Sequence, residues 1–465
     1  MAKSCDVLVV GAGTAGTYYG WLAARMGLSV IILEKDERER VGKRLDVFHI
    51  DSLKFEEFGV PVPPEDSDEL ICVLRDNVSL SPDGSHPKPL DYPFHVMRLT
   101  PFLQRLYGLA ESAGVVFSFK TTVRAPVFQG GKLIGMVAEE NGKTVEYRAR
   151  LVVDASGTAA VVRTALPVDY GIEIFNLAPE DRFYVVLRYL VWDEPRQART
   201  MGPWEGPLYP AKCASAGWTH FKTWVAPSSD PDGAILGVGA TGSYDHAEEV
   251  LKEFLGKIRL PSYRIDHLER GTTPYRRPPY SVAGDGFLCL GDSACVTKPF
   301  SGEGVTAAWE LCKIAAEETV SALKRPGYVT ADRLWGVNVR YFRGQGAKFA
   351  ALLATLPGAA NGTEKESRYL FREDVIFSSK DFNDMNKYYE VRMSVGRLLK
   401  TILVLLKGLC TGNYSFSNLK ALVRALGMAG KARAHYEAYP ESPAGFEKWV
   451  ERAETLWNKA GARMK

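Results

Sequence analysis

A chain of 465 residues is longer than one hydrophobic core normally holds, so two or three subdomains are expected. Hydrophobic residues make up 46% and charged residues 24%, an ordinary globular balance that argues against a disordered or low-complexity protein. A net charge of +3 is too mild to point to nucleic acid, and no apolar run is long enough for a membrane-spanning helix.

The chain begins Met1-Ala2-Lys3-Ser4 and passes directly into an apolar strand, without the tripartite pattern of a secretory signal. Residues 7–10 are a short β-branched run, the mark of a buried parallel strand. Gly11-Ala12-Gly13-Thr14-Ala15-Gly16 follows, then apolar residues at helical spacing (Tyr19, Leu22, Ala23, Met26), then a second apolar strand over residues 29–33 closed by Glu34 and Lys35. This order suits a dinucleotide. Gly11 permits the tight turn, Gly13 lets the backbone approach a pyrophosphate, and Gly16 lets the helix pack on the strand. The helix start at Thr14 and Ala15 offers unpaired N–H groups to phosphate, and Glu34 can accept from ribose hydroxyls while repelling a 2′-phosphate.

Residues 61–93 are rich in Pro, Asp and Ser and read as a long loop with little structure. Arg98 precedes an expected helix over residues 102–113. A further apolar strand delivers Asp154-Ala155-Ser156-Gly157, with Arg163 beyond. Strand-like runs are expected at 184–192 and 234–239 and a helix at 247–257. Between them lies Trp218, His220, Phe221, Lys222 and Trp224. A second GxGxxG, Gly237 to Gly242, has no acid-terminated strand after it, and its alternation suits an antiparallel strand rather than a nucleotide site. Residues 286–290 form another apolar strand leading to Gly291 and Asp292. Pro299-Phe300-Ser301-Gly302-Glu303-Gly304 then opens a long helix from Val305, whose free N–H groups would favour negative charge.

The region after residue 331 is expected to be mostly helical. Residues 391–434 hold eight basic residues (Arg392, Arg397, Lys400, Lys407, Lys420, Arg424, Lys431, Arg433) and no acid. Leu398, Leu399, Ile402, Leu405, Leu406 and Leu409 make one helical stripe, and after Ser417, a candidate cap, Leu419, Leu422, Val423 and Leu426 repeat it. Two readings fit: a membrane-surface anchor, or two helices packed on the remainder with a solvated basic face. The seven cysteines (Cys5, Cys72, Cys213, Cys289, Cys295, Cys312, Cys410) show no CxxC spacing, so no metal or iron–sulfur site is expected and reduced thiols in a cytoplasmic setting are.

On these motifs the sequence resembles the geranylgeranyl reductase family of FAD-dependent oxidoreductases, from Cys5 to about Lys324. Carrying the resemblance are Gly11 to Gly16, Asp154 to Gly157, and Gly291-Asp292 followed by Pro299 to Gly304; the Gly-Glu-Gly ending is typical of these reductases. The resemblance implies FAD as cofactor, contacted by Gly11, Gly13, Thr14, Ala15, Gly16, Glu34, Lys35, Arg98, Asp154, Gly157, Gly291, Asp292, Pro299, Gly302, Glu303, Gly304 and Val305. It implies an α/β fold: a Rossmann-like FAD-binding domain (1–165, loop-rich near 61–93, and 271–330), an inserted α+β substrate domain (166–270) and a C-terminal helical region (331–465). The family's substrate-domain signature is aromatic-x-Trp-x-Phe-Pro. Trp224 and Pro227 fit it, while Lys222 and Ala226 depart from it, and no cysteine follows the ribose acid at 41–46.

The implied activity is reduction of isolated C=C bonds in an isoprenoid or related apolar molecule, with electrons from a separate donor such as reduced ferredoxin or NAD(P)H and possible peripheral contact with the inner face of the membrane through 391–434. Trp218, Phe221, Trp224 and Pro227 are candidates for lining the substrate site, or else core aromatics on strands; His220 and Lys222 read as structural or exposed rather than as proton donors. An FAD monooxygenase or halogenase-like enzyme is the alternative, since those share the same FAD segments.

Overall fold

The computed structural model describes residues 3–43, 45–81, 83, 86–195, 212–218, 221–258, 260–359, 362–376 and 378–461. Its first sheet has eight strands. Along the main path they run Ala283–Gly284, Phe287–Cys289, Lys143–Asp154, Lys3–Val10, Val30–Leu33 and Val116–Ser118. The first pairing of this path is antiparallel and the other four are parallel, and Lys132–Glu140 and Thr121–Gln129 extend it antiparallel from the Lys143–Asp154 strand. Burial on both faces explains the continuous apolar runs: Val7, Leu8, Val9, Leu151, Val152 and Val153 are all fully buried.

Register decides where the glycine-rich motifs meet. Val10 lies opposite Asp154, and Asp154 opposite Cys289. Three strands therefore end level with one another, and Gly11, Ala155 and Gly291 emerge side by side at their C-terminal ends, where ligands of such sheets bind. The helices Thr14–Arg25 and Val305–Leu323 pack against each other above that edge, with Trp309 fully buried and stacked on Tyr18.

The second sheet is seven-stranded, in the order Tyr263–Pro274, Arg182–Trp192, Gly233–Thr241, Phe221–Ala226, Lys212–Trp218, Asp76–Leu80, Pro87–Leu90. The helix Tyr244–Lys257 covers it through Ala247, Val250, Leu251 and Phe254. A three-stranded sheet orders Val47–Asp51, Phe94–Arg98 and Leu70–Leu74.

Residues 61–93 depart from the expected loop, since they contain the strands Leu70–Leu74, Asp76–Leu80 and Pro87–Leu90. Prolines disguised them. Pro87 and Pro89 lie on the outermost strand of the second sheet, the place where a missing N–H costs no ladder bond.

Beyond residue 331 the described residues are helical, as read from the sequence. The helix Phe416–Glu437 is capped by Ser415, whose Oγ accepts from the N–H of Asn418, rather than by Ser417. The helix Val395–Thr411 buries Val404 and Leu405 against Tyr369 and Tyr414. It leaves Leu398, Leu399, Ile402, Leu403 and Leu406 exposed. Lys400 and Lys407 face Asp374 and Glu373, 3.7 and 3.6 Å away. Among the described residues no helix is long and apolar enough to cross a membrane.

Candidate active site

Two glycines of the first turn are there because nothing else fits. Gly11 has φ +108°, and a Cβ on it would lie 2.3 Å from the Ala155 carbonyl oxygen. A Cβ on Gly16 would lie 2.1 Å from the Gly11 carbonyl oxygen. Gly13 is different: a Cβ there would meet no protein atom within 4 Å. It sits at the N-cap of Thr14–Arg25 without a capping side chain, and the first return bond of the helix is Thr17 N–H to Gly13 O at 3.0 Å. The N–H groups of that first turn therefore look onto open space, the environment an anion needs. Glu34 is buried behind the turn, accepting from the N–H of Ala12 at 2.9 Å and of Asp36 at 3.0 Å. Lys35 is exposed beside it.

Gly291, with φ +63°, would bring a Cβ within 2.8 Å of the Ala15 Cβ, so the third strand end abuts the same helix start. Asp292 follows. Burial pushes its carboxyl up to about 6, against a hydrogen bond from Thr297 that lowers it. A Cβ on Gly304 would stand 3.3 Å from Asp292 Oδ1, so glycine at 304 keeps that carboxylate at the uncapped start of the helix Val305–Leu323.

Asp154 is fully buried and works inside the protein. Oδ1 accepts from Ser156 N–H and Oγ at 3.0 and 2.6 Å, and Oδ2 accepts from the N–H of Val162 and Arg163 at 3.0 and 2.8 Å. It shapes the loop carrying Gly157, which is at φ +73°. Arg163, also buried, donates to the carbonyls of Ser293 and Glu173 and so ties the second motif to the third. Arg98 stands at the N-cap position of the helix Leu99–Ser112 without a capping side-chain bond, and its guanidinium, on a side chain 40% exposed, donates to Asp46 Oδ2 at 3.2 Å.

Adjoining these motifs is a cavity of about 240 Å³. One wall is the segment from Ser301 to Thr306. The opposite wall is the second sheet, through Phe183, Val185, Lys222, Trp224 and Gly239, and Phe48, His49 and Phe382 complete it. The second GxGxxG serves this wall: it lies on the antiparallel strand Gly233–Thr241, where Gly237 makes room for the Trp224 indole and Gly239 for the Phe183 ring.

The polar groups of the cavity cluster at Glu303. Lys298 Nζ, fully buried, donates to Glu303 Oε2 at 2.5 Å and to Asn386 Oδ1 at 3.2 Å. Burial pushes the Glu303 carboxyl up, but the Lys298 and Lys222 ammoniums outweigh it and hold it down at about 2. Burial and Lys222 press His49 down to about 4, so it is neutral near pH 7, and its buried Nε2 has no hydrogen-bond partner.

Of the expected lining residues, Trp224 borders the cavity, while Pro227 is buried and is not among the lining residues. The side chains of Trp218 and Phe221, and the whole of His220, lie outside the described residues. Lys222, expected to be structural or exposed, lines the cavity with its ammonium 5.9 Å from the Trp224 ring. The sequence does not single out His49, Asn77, Phe183, Lys298 or Phe382.

Comparison with known proteins bears on this arrangement. Residues 6–175 match the model of the FAD dependent oxidoreductase family. The digeranylgeranylglycerophospholipid reductase of Sulfolobus acidocaldarius is 24% identical over 464 residues, 98% of each chain. Digeranylgeranylglycerophospholipid reductase 1 of Methanopyrus kandleri is 28% identical over 69% of this chain and 81% of its own. The chain is thus similar along nearly its whole length to a digeranylgeranylglycerophospholipid reductase, and its first part to the FAD dependent oxidoreductases.

Solved structures agree at the level of fold. A geranylgeranyl bacteriochlorophyll reductase-like protein from Thermoplasma acidophilum superposes with TM-score 0.69 at 17% identity, covering 88% of this chain and 99% of its own. A flavin-dependent brominase superposes with TM-score 0.60 at 16% identity, covering 97% and 100%. FAD is the cofactor of this oxidoreductase. The open cradle at Gly13, with an uncapped helix start behind it, fits the pyrophosphate of that cofactor.

Proposed function

We propose that this flavoenzyme reduces isolated C=C bonds of a geranylgeranyl-type lipid. The observation that carries the reading is the cavity: aromatic and aliphatic on most of its surface, it lies against the Gly302-Glu303-Gly304 segment that follows the Gly291-Asp292 turn. Bound FAD, once reduced, supplies a hydride; the electrons reach it from a separate donor, reduced ferredoxin or NAD(P)H, since the second GxGxxG is spent on packing Trp224 and Phe183.

FAD would be held by the turn from Gly11 to Gly16 through the Thr14 and Ala15 N–H groups, by Glu34 and Lys35, by Arg98 and Gly157, and by Asp292 with the helix start at Val305. Asp154 acts through the loop it folds. An isolated alkene has no carbonyl for the protein to polarise, so positioning and water exclusion must supply most of the catalysis. Phe183, Trp224 and Phe382 exclude water and orient the chain. A proton must also enter this apolar space, and only its polar end can bring one.

The exposed apolar face of the helix Val395–Thr411, continued by Phe416, Val423 and Leu426, is the contact with an anionic membrane surface from which the lipid is drawn. Lys420, Arg424 and Lys431, which have no acidic partner among the described residues, add complementary charge. The activity is tested by incubating the FAD-loaded protein anaerobically with dithionite and a geranylgeranyl glycerophospholipid. A product heavier by two hydrogens per reduced bond is expected. An unchanged lipid, together with rapid oxygen consumption when the reduced protein, freed of dithionite, is exposed to air, would move the reading to a monooxygenase.

A further inference from the structure

We propose that Glu303 and Lys298 form a proton-delivering pair, Glu303 protonating the substrate carbon and Lys298 reloading Glu303. The inference rests on the alkene-reduction reading and deepens it by assigning the proton.

The two partners stand in different places. Lys298 is completely sealed, whereas 26% of the Glu303 side-chain surface remains accessible and Glu303 borders the cavity. The backbone holds them together: Lys298 N–H donates to the Glu303 carbonyl at 2.9 Å, and Gly302 N–H to the Lys298 carbonyl at 2.9 Å, with Gly302 at φ +76° closing the turn. A buried ion pair is a poor way to stabilise a protein, because desolvation offsets most of the attraction. A pair at the edge of an apolar cavity does have a chemical use.

Lys298 also shares an aromatic neighbour with a second buried lysine. Its ammonium lies 5.6 Å from the Tyr389 ring centroid, and the Lys54 ammonium lies 4.9 Å from the same centroid. Tyr389 is buried, and its hydroxyl has no hydrogen-bond partner. Lys54 donates in turn to Glu57 Oε2 at 2.7 Å, and the Glu57 side chain is 48% exposed. The other ionisable groups that act on the pair are Lys222 and His49 across the cavity, with Asp51, Tyr92 and Tyr389 behind it.

At rest the pair is Lys298-NH3+ and Glu303-COO−. An apolar substrate filling the cavity removes the remaining solvation from the Glu303 carboxylate and favours the neutral form, in which the Lys298 proton has moved to Glu303. As the hydride from reduced FAD bonds to one alkene carbon, the Glu303 O–H bond breaks and its proton bonds to the other carbon. The alkene gains two electrons and FAD is left oxidised. Glu303 is then a carboxylate and Lys298 a neutral amine, and one proton from solvent restores the ammonium.

The test has two readouts on the FAD-loaded protein. In infrared difference spectra of the oxidised holoenzyme, a saturated isoprenoid alkane is added, so that no turnover takes place. A protonated-carboxyl band should appear in the wild type and be missing in E303Q; its absence from the wild type would overturn the proposal. In single-turnover reoxidation with a geranylgeranyl lipid, E303Q should be slowed about 100-fold or more, with the flavin spectrum and FAD affinity retained and partial recovery in E303D. An E303Q protein that reoxidises at the wild-type rate, with the wild-type solvent isotope effect, would equally overturn it. If the wild type itself leaves the lipid unreduced, the alkene-reduction reading fails on its own, and the infrared band still decides the pair.

Discussion

The indole of Trp224 lies across the backbone of Gly237, so close that a Cβ on Gly237 would sit 1.9 Å from Trp224 Cε2. The two are direct partners across neighbouring antiparallel strands, and Trp224 forms part of the cavity wall. G237A must therefore push the indole into the cavity or off its strand. Overpacking of this kind costs about 1–3 kcal/mol. We expect thermal denaturation to show that loss and KM for the lipid to rise, with FAD affinity unchanged because the cofactor turn is on the other sheet.

Gly13 and Gly16 should separate folding from cofactor binding. A side chain at Gly13 meets no protein atom, whereas one at Gly16 meets the Gly11 carbonyl at 2.1 Å. G13V should leave the stability of the FAD-free protein nearly unchanged and weaken FAD binding at least tenfold, about 1.4 kcal/mol. G16V should lower the stability of the FAD-free protein itself. Flavin titration alongside thermal melts distinguishes the two, and equal behaviour of the two variants would contradict the cradle.

Asp292 carries a pH dependence. Its carboxyl is pushed up to about 6 in the fold, above the ordinary aspartate range. The folded FAD-free protein thus binds a proton there more tightly than the unfolded chain does, so this group's contribution to stability improves as pH falls through about 6. FAD binding should run the opposite way, weakening over the same interval as the acceptor carboxylate is lost. D292N should flatten both profiles.

The exposed leucines make a claim about membranes. Leu399, Leu403 and Leu406 are 56%, 66% and 51% exposed on one helix. Replacing all three with glutamate should leave the melting temperature nearly unchanged, since surface substitutions cost little. Sedimentation with phosphatidylglycerol vesicles should fall at least tenfold, about 1.4 kcal/mol. Salt should weaken the wild-type interaction, because each basic side chain near an anionic surface contributes about 1 kcal/mol.

What was legible in the sequence was whatever the backbone imposes locally. Gly16 is required by a contact inside its own turn, and Gly11 and Gly291 by the positive φ of theirs, so the strand, turn and helix pattern exposed them. The helix Val305–Leu323 and the mostly helical end of the chain followed from apolar spacing in the same way. The cavity was less legible because it is assembled from afar. His49, Asn77, Lys298 and Phe382 come from four separate segments, each unremarkable alone. Pro87 and Pro89 made an edge strand look like a loop. Lys222 read as exposed because a lysine on a strand usually is, and only the Glu303 carboxylate across the cavity gives its charge a reason to be there.

The central claim, that reduced FAD in this protein gives its electrons to an isolated alkene, is tested most directly without oxygen. The bound flavin is reduced with dithionite, a geranylgeranyl lipid is added, and the absorbance of oxidised flavin near about 450 nm is followed. Return of that absorbance on adding the lipid, together with a product carrying two more hydrogens per reduced bond, is the result expected. A flavin that stays reduced with the lipid and reoxidises only when oxygen is admitted would contradict the account.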